Sequence, residues 1–173
     1  MREMNHKEII NKLENNTVVI KALLNNISPA QAGWKPAPEK WAIVEVINHL
    51  IDEETDDFRQ RLEFALLKPE REWKRIEPVK WVKEKNYIQR DMNSSLENFL
   101  NEREQSLRWL RDLQSPDWRA VDGYPFGMVL TAEQVLANWL THDYLHIRQL
   151  NALNLSYLKS VTPGTDLSYA GNW

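Results

Sequence analysis

Apolar residues recur every three to four positions along four long stretches of this chain, and this spacing constrains the fold more than any other feature. The stretches cover residues 5–26, 42–67, 87–113 and 131–153. Such spacing is typical of amphipathic helices, whereas the alternating segments typical of strands are few. The chain also has only five glycines and eight prolines. The sequence therefore predicts an all-α protein with four long helices.

The segments between these helices differ in length and character. Residues 28–31 resemble a short helical turn with a serine cap and a proline at the first position. Residues 68–85 hold two prolines and a charged run, which predicts a long crossover connection between helices two and three. A second loop is expected at 117–127 and an irregular tail at 160–173. At 173 residues the chain is long enough for one core of its own, so we expect a single domain.

Composition and charge exclude several classes of protein. A net charge of -3 and a pI near 5.8 provide no basic surface for a nucleic-acid backbone. No run approaches the roughly 20 apolar residues of a membrane span, and the first residues carry an acid instead of a signal-peptide core. We therefore expect a cytoplasmic protein with no nucleic-acid or membrane partner. Because cysteine is absent, any metal ligand must be histidine or carboxylate.

Two histidines lie four residues apart within the last predicted helix. His142 and His146 share one helix face, and their mean direction coincides with that of Val135 and Leu153. The pair therefore points inward and can chelate one metal ion through neutral ring nitrogens. Two core histidines satisfied by hydrogen bonds are the alternative. His6 precedes the apolar stripe of its helix and has no second ligand nearby, so we interpret it as a surface residue.

The second predicted helix contains His49, which is followed by six consecutive residues without an apolar side chain. At about 100° per residue, Glu53 and Asp56 lie within roughly 40° of the direction of His49. Glu53 is therefore either an exposed residue or a carboxylate that orients a ligand imidazole. For Glu54 and Asp57 we expect a solvated position, which is usual for a charged run.

A second interpretation of the last helix follows from its order of residues. His142, Asp143 and His146 match the H-E-x-x-H pattern of zinc metalloproteases, with Asp in place of Glu. The shorter carboxylate would lie about one methylene farther from the metal site, and Asp143 lies some 80° from the direction of the histidines. After His146 the only candidate third ligand is Asp166, in the irregular tail. We therefore favour the metalloprotease interpretation less than the functions considered below.

Three segments together resemble the DinB-like (damage-inducible, helical-bundle) superfamily. They are residues 34–36 with 40–50, then His142 with His146, then the closing Tyr-Ala-Gly-Asn-Trp at 169–173. The resemblance spans most of the chain. It implies a four-helix bundle with a long crossover between helices two and three and a divalent metal held by three histidines.

Carried over residue by residue, the resemblance assigns the metal to His49, His142 and His146, with zinc or nickel favoured. The chain departs from many members at Ala42, where they carry serine. The cap of helix two that would pair with Glu45 is therefore missing, at a local cost of about 1 kcal/mol. This departure affects stability and leaves the ligand set complete.

The expected activity combines the resemblance with charge. Three neutral imidazoles leave the positive charge of a divalent ion uncompensated. An anionic fourth ligand, hydroxide or thiolate, is therefore favoured. Some family members are thiol-dependent S-transferases, and this chain has no cysteine. We therefore predict an S-transferase that uses an external low-molecular-weight thiol on a small electrophile, with Glu53 or Asp143 as candidate catalytic residues that orient a ligand or shuttle a proton.

Two other functions stay open, namely a hydrolase that uses metal-bound water and a non-catalytic, metal-stabilised binding protein. Fold and metal do not choose among these. The resemblance and the eight tryptophans also predict a homodimer.

Overall fold

A computed structural model describes residues 5–171, and within that range every helix and strand assignment is helical apart from one isolated bridge between Val121 and Thr131. The helices, in chain order, are α1 (His6–Leu24), α2 (Pro29–Ala32), α3 (Ile43–Asp52), a π-helical segment (Glu53–Phe58), α4 (Arg59–Leu67), α5 (Pro78–Glu84), a 3₁₀ turn (Tyr87–Gln89), α6 (Met92–Asp112), α7 (Ala132–Val161) and a 3₁₀ turn (Ser168–Ala170). The predicted all-α class is confirmed.

Four long elements form the bundle: α1, the continuous rod from α3 through the π-helical segment to α4, α6 and α7. Helix α1 packs on α6 and α7, while α3 packs on α6 and α4 packs on α7. The crossover predicted at 68–85 connects the second and third of these elements. It contains the short helix α5, which packs on α3 and buries Trp81.

The N-termini of α7 and α3 differ in the hydrogen bonds that cap them. At the start of α7, Thr131 accepts a hydrogen bond from the backbone N–H of Gln134, whose side chain accepts from Thr131 N–H. At the start of α3, Glu45 Oε2 accepts from Ala42 N–H at 2.8 Å, but the alanine side chain offers no acceptor in return. Only one of the two bonds of a capping box is therefore made there.

The second long element is less regular than predicted. Residues Glu53–Phe58 form a π-helical segment, in which each backbone hydrogen bond spans one more residue than in an α-helix. The rod still runs from 43 to 67 without a break, so only its internal geometry differs from the regular helix expected over 42–67. The wide turns begin four residues after His49, and such segments are frequent at functional sites.

The interior of the bundle has a polar layer between two apolar layers. One apolar layer contains Leu13, Leu62 and Trp139, and the other contains Ile20 and Leu150. Between them, each of the four long elements contributes a buried polar or charged residue. These residues are Asn16, Glu54, Arg103 and Asp143. The three histidines of α3 and α7 lie next to this polar layer, since Asp143 directly follows His142 and Glu54 lies five residues after His49.

Two boundaries differ from the prediction. Helix α7 continues to Val161, eight residues beyond its expected end, because Asn154 does not terminate it. Its side chain instead donates to Leu23 O and accepts from Gln31. The predicted third helix consists of a 3₁₀ turn followed by α6. Of the closing motif at 169–173, the last two residues lie outside the described part of the chain.

Candidate metal centre

The fold brings together the three histidines that the sequence singles out. His49 lies in α3, while His142 and His146 lie one turn apart in α7. The Nε2 atom of His142 lies 3.3 Å from Nε2 of His49 and 3.1 Å from Nε2 of His146. One ring nitrogen from each residue falls within a common span of 4.8 Å. The three nitrogens therefore converge on one point between α3 and α7.

The histidines are neutral because protein surrounds most of each ring: His49 is buried, and His142 and His146 are half-buried. Burial, followed by the charge of His146, lowers the pKa of His49 to about 3. Burial and the neighbouring histidines lower the pKa of His142 to about 2, and burial also lowers the pKa of His146. A neutral imidazole keeps a lone pair on one ring nitrogen, which is the form that binds a metal.

A hydrogen bond on the far side of one ring indicates which nitrogen carries the proton. His146 Nδ1 lies 2.8 Å from Gln149 Oε1, an oxygen that can only accept, so Nδ1 carries the hydrogen and Nε2 carries the lone pair. On the other helix, His49 Nδ1 lies 3.6 Å from Glu53 Oε1. The Nε2 atom of His146 thus points its lone pair towards His142.

The spacing of these nitrogens suits a metal ion. A tetrahedral ion with metal–nitrogen bonds of about 2.0–2.1 Å separates its ligand nitrogens by about 3.3–3.4 Å. The observed separations of 3.3 and 3.1 Å are close to that value. Converging lone pairs repel one another unless a cation or a proton lies between them. The donor set therefore fits a divalent ion held by His49, His142 and His146.

Glu53 lies behind His49, on the side away from the converging nitrogens. Its Oε1 atom is buried and makes no hydrogen bond. Burial and the charge of Asp57 raise the pKa of Glu53 to about 9, with further contributions from Asp52 and Asp56. Glu53 is therefore in position to orient the His49 ring, and its carboxyl group does not reach the open side of the cluster.

Asp143 is held by another side chain. It is fully buried, and its two oxygens accept from Arg103 Nη2 and Nη1 at 2.7 and 2.8 Å. Asn16 donates to the same carboxylate at 3.3 Å. Asp143 thus lies next to the ligand histidines in the chain while its side chain faces α6 and α1.

The expected solvated position of Glu54 and Asp57 is wrong. Glu54 is 1% exposed, because Arg103 on α6 neutralises it through Nε at 2.8 and 2.9 Å. Trp139 Nε1 donates to it as well, at 3.2 Å. Asp57 is half-buried and accepts from Arg61 Nε at 2.8 Å. The charged run thus contains residues that are paired inside the protein.

Aromatic residues and a small cavity surround the histidines. Trp41 packs edge-on against His49, with ring centroids 5.0 Å apart, and Phe58 lies 5.2 Å from His142. A cavity of about 270 Å³ reaches His142 from the surface between α4 and α7. It is lined by Asp57, Phe58, Arg61, Leu130, Val135, Asn138, Thr141, His142 and Leu145. The cavity gives a small molecule access to one member of the cluster.

His6 lies outside the cluster, at the first residue of α1. Its ring stacks on Trp118 with centroids 4.3 Å apart, and its Nε2 lies 3.5 Å from Glu133 Oε1. The side chain is 28% exposed, so the expected surface position is only partly correct.

Sequence reasoning missed Arg103 and its partners, although a signal was present. Arg103 lies four residues after Phe99 and four before Leu107, both of which are buried on the inner face of α6. Glu54 likewise lies midway between Leu50 and Phe58. A charged residue at a core position of a helix indicates a buried partner, since an unpaired charge is costly to bury.

The fold and the histidine cluster define a helical-bundle protein with a candidate metal centre. A family model described as the DinB superfamily matches residues 12–150. The chain therefore belongs to the DinB superfamily, and the predicted resemblance is confirmed.

The solved structure of YfiT from Bacillus subtilis, whose description reads "a probable metal-dependent hydrolase with an unusual four-helix bundle topology", is similar to this chain with a TM-score of 0.75. The match covers 88% of this chain and 90% of YfiT at 19% identity, a level at which the likeness concerns the fold. No curated protein matches the sequence. Within residues 5–171, no helix has the length and apolar character needed to cross a membrane.

Proposed function

We propose that this protein is an enzyme that depends on one divalent metal ion, zinc or nickel, held by His49, His142 and His146. The observation that carries the proposal is the convergence of three neutral imidazoles, one buried and two half-buried, with nitrogen separations of 3.1 and 3.3 Å. When bound, such an ion supplies Lewis acidity that lowers the pKa of a coordinated water or thiol towards neutrality.

The surrounding residues prepare the ligands and limit the access of water. Gln149 accepts from His146 Nδ1 and thereby fixes the tautomer and the angle of that ring. Glu53 is placed to do the same for His49 across 3.6 Å. Trp41 and Phe58 cover two sides of the cluster, which leaves the cavity beside His142 as the approach for a substrate.

The reaction that we favour is transfer of an external low-molecular-weight thiol to a small electrophile. The chain has no cysteine, so the sulfur nucleophile must come from outside. Among the described residues, the cluster of possible ligands contains only the three histidines, and Glu53 and Asp143 are both directed away from the converging nitrogens. A thiol suits such a site because its own pKa, about 8.5, needs little lowering and no protein base.

The electrophile that we envisage is small and mostly apolar. The cavity has a volume of about 270 Å³, and its apolar side chains include Phe58, Val135 and Leu145. In this reaction the thiol loses its proton to solvent and its sulfur forms a bond to the electrophilic carbon. The bond from that carbon to the leaving group breaks, and the leaving group departs to solvent with the bonding electron pair. Asp57 also lines the cavity and offers a carboxyl group there.

Hydrolysis is the second candidate, and the description of YfiT as a probable metal-dependent hydrolase favours it. The same histidine cluster and cavity would serve, with water as the nucleophile. Hydrolysis of an amide also requires an acid that protonates the leaving nitrogen. Asp57 is the candidate for that role, because it lines the cavity beside His142.

Cobalt substitution separates these possibilities. The cobalt-loaded protein is treated with low-molecular-weight thiols one at a time, and sulfur-to-cobalt charge-transfer absorption is recorded, with the His142→Ala variant as the control. The proposal predicts new absorption with at least one thiol in the wild type and none in the variant. If no thiol changes the spectrum while esters or amides are hydrolysed, the hydrolase replaces the transferase. Bound metal with neither response supports a non-catalytic binding protein.

A homodimer is also proposed, on the resemblance and on exposed apolar residues near the end of α7. Leu155, Leu158 and Val161 are each about half exposed and lie within two turns of one another. Sedimentation at micromolar concentration tests the proposal, and a monomer would contradict it.

A further inference from the structure

Arg103 occupies the centre of the polar layer and binds three other elements of the bundle. Its side chain is 1% exposed. Nε donates to both oxygens of Glu54 at 2.8 and 2.9 Å, and Nη2 and Nη1 donate to the two oxygens of Asp143 at 2.7 and 2.8 Å. Nη1 also donates to Leu13 O at 3.2 Å. One planar group is therefore bonded to the π-helical segment, to α7 and to α1.

The two carboxylates that Arg103 binds lie beside the histidine ligands. Asp143 directly follows His142 and lies one turn before His146. Glu54 lies five residues after His49, on the same continuous rod. The guanidinium thus connects the two helical elements that must be held at a fixed separation for the three nitrogens to converge.

We propose that Arg103 is a positioning residue of the metal centre, which sets the spacing and rotation of α7 against the rod that carries His49. The inference rests on the proposed metal centre and extends it to a residue that touches no ligand. Two parallel bonds from a rigid fork fix an angle as well as a distance, which a lysine ammonium cannot do. A metal site requires its ligands within about 0.2 Å of the ideal distances. The spacing and rotation of α7 must therefore be fixed for the three histidines to bind one ion.

The completeness of the network supports this role. Trp139 Nε1 donates to Glu54, and Asn16 donates to Asp143, so each carboxylate has partners besides Arg103. A rotation of α7 or a shift along its axis would break several of these bonds together. Apolar side chains of the same size would stabilise a bundle as well as a buried ion pair does. A buried ionic layer is therefore better explained by the single geometry that it imposes.

Cobalt(II) titration of three variants tests the proposal. Arg103→Lys keeps the charge and removes the fork. Asp143→Asn keeps the shape and removes one of the two parallel bonds, so it remains informative if the lysine variant does not fold. Glu102→Gln is the control, because Glu102 lies on the same helix as Arg103 but on a more exposed face. The substitution removes the charge from its pair with Arg59 of α4, in which the two side chains lie 2.8 Å apart. The readouts are cobalt affinity, the visible absorption spectrum and far-ultraviolet circular dichroism.

We expect the Arg103 and Asp143 variants to fold, to bind cobalt at least about tenfold more weakly and to show shifted visible bands, as loss of an outer support typically does. The Glu102 variant should match the wild type. Wild-type affinity and spectrum in folded Arg103→Lys and Asp143→Asn would overturn the inference, and so would failure of both to fold, because the cluster would then act on the whole bundle. If the wild type binds no cobalt, the proposed metal centre itself is wrong.

Discussion

Two buried polar clusters lie side by side in the centre of this bundle, and they differ in how their atoms are satisfied. In the cluster of Arg103, Glu54 and Asp143, both carboxylates and the guanidinium form hydrogen bonds of 2.7–2.9 Å. In the histidine cluster, Nε2 of His142 faces Nε2 of the other two rings. A complete network needs nothing more, whereas converging lone pairs require a cation or a proton.

This difference indicates a division of roles between the clusters. Atoms that are fully paired with each other contribute to the fold, and atoms that lack complementary partners are available to a ligand. We therefore expect loss of charge from the Arg103 cluster to lower the free energy of unfolding, in addition to the weaker metal binding expected of its milder variants. Changes in the histidine cluster should act mainly on metal binding and acid stability.

The largest expected effect is on stability. Arg103→Met leaves Glu54 and Asp143 buried without their counter-charge, so it should lower the free energy of unfolding by about 3–5 kcal/mol, as measured by urea denaturation. Arg108→Met is the control on the same helix, because its pair with Glu104 is about two-thirds exposed. The control should change stability by less than about 1 kcal/mol. Equal losses in both variants would contradict the division of roles.

The next effect is on acid stability of the metal-free protein. The folded-state pKa values of His49 and His142 are lowered to about 3 and about 2, so between pH 6.5 and these values only the unfolded chain binds the protons. These two histidines therefore contribute a rise in stability with pH in that range, by up to about 1.4 kcal/mol per unit each. The raised pKa of Glu53 offsets part of that rise above about pH 4.5.

Denaturation at several pH values between 4 and 7, in buffers with a chelator, measures this slope. Replacement of His142 by alanine should make the slope shallower, whereas replacement of His6, which lies outside the cluster, should leave it unchanged. A wild-type slope in His142→Ala would show that the burial of this ring carries no proton-linked cost.

The smallest effect concerns the outer support of the ligands. Gln149→Leu removes the acceptor that lies 2.8 Å from His146 Nδ1, so metal affinity should fall by about tenfold while the fold is kept. Asn151→Leu is the control, because Asn151 is exposed on the same helix. Competition with a chromophoric chelator measures both affinities. Equal affinities in the two variants would remove Gln149 from the support of the centre.

The sequence predicted the helices and the histidines for a physical reason. Helical periodicity records which face of each element is buried, so the inward direction of His142 and His146 could be read from Val135 and Leu153. The four-helix class and the crossover at 68–85 followed from the same pattern and the resemblance. The Glu53 position beside His49 also matches the angular estimate, since the side chains lie 3.6 Å apart.

The remaining features depend on contacts between distant parts of the chain. Glu54 is buried because Arg103 lies opposite to it, 49 residues away, and a charged run alone does not reveal that partner. The π-helical segment departs from the constant rotation per residue that the angular estimate assumes. Asn154 lies just after the expected end of the last helix, but it belongs to α7 and contacts Leu23 and Gln31.

The central claim is that His49, His142 and His146 jointly bind one divalent ion, and a metal titration with elemental analysis tests it most directly. The wild type should bind one zinc or nickel ion per chain, and His49→Ala should bind it at least about tenfold more weakly, because the remaining pair lies on one helix and lacks the third ligand. His6→Ala should behave as the wild type. Stoichiometric metal with unchanged affinity in His49→Ala would remove His49 from the site and contradict the account.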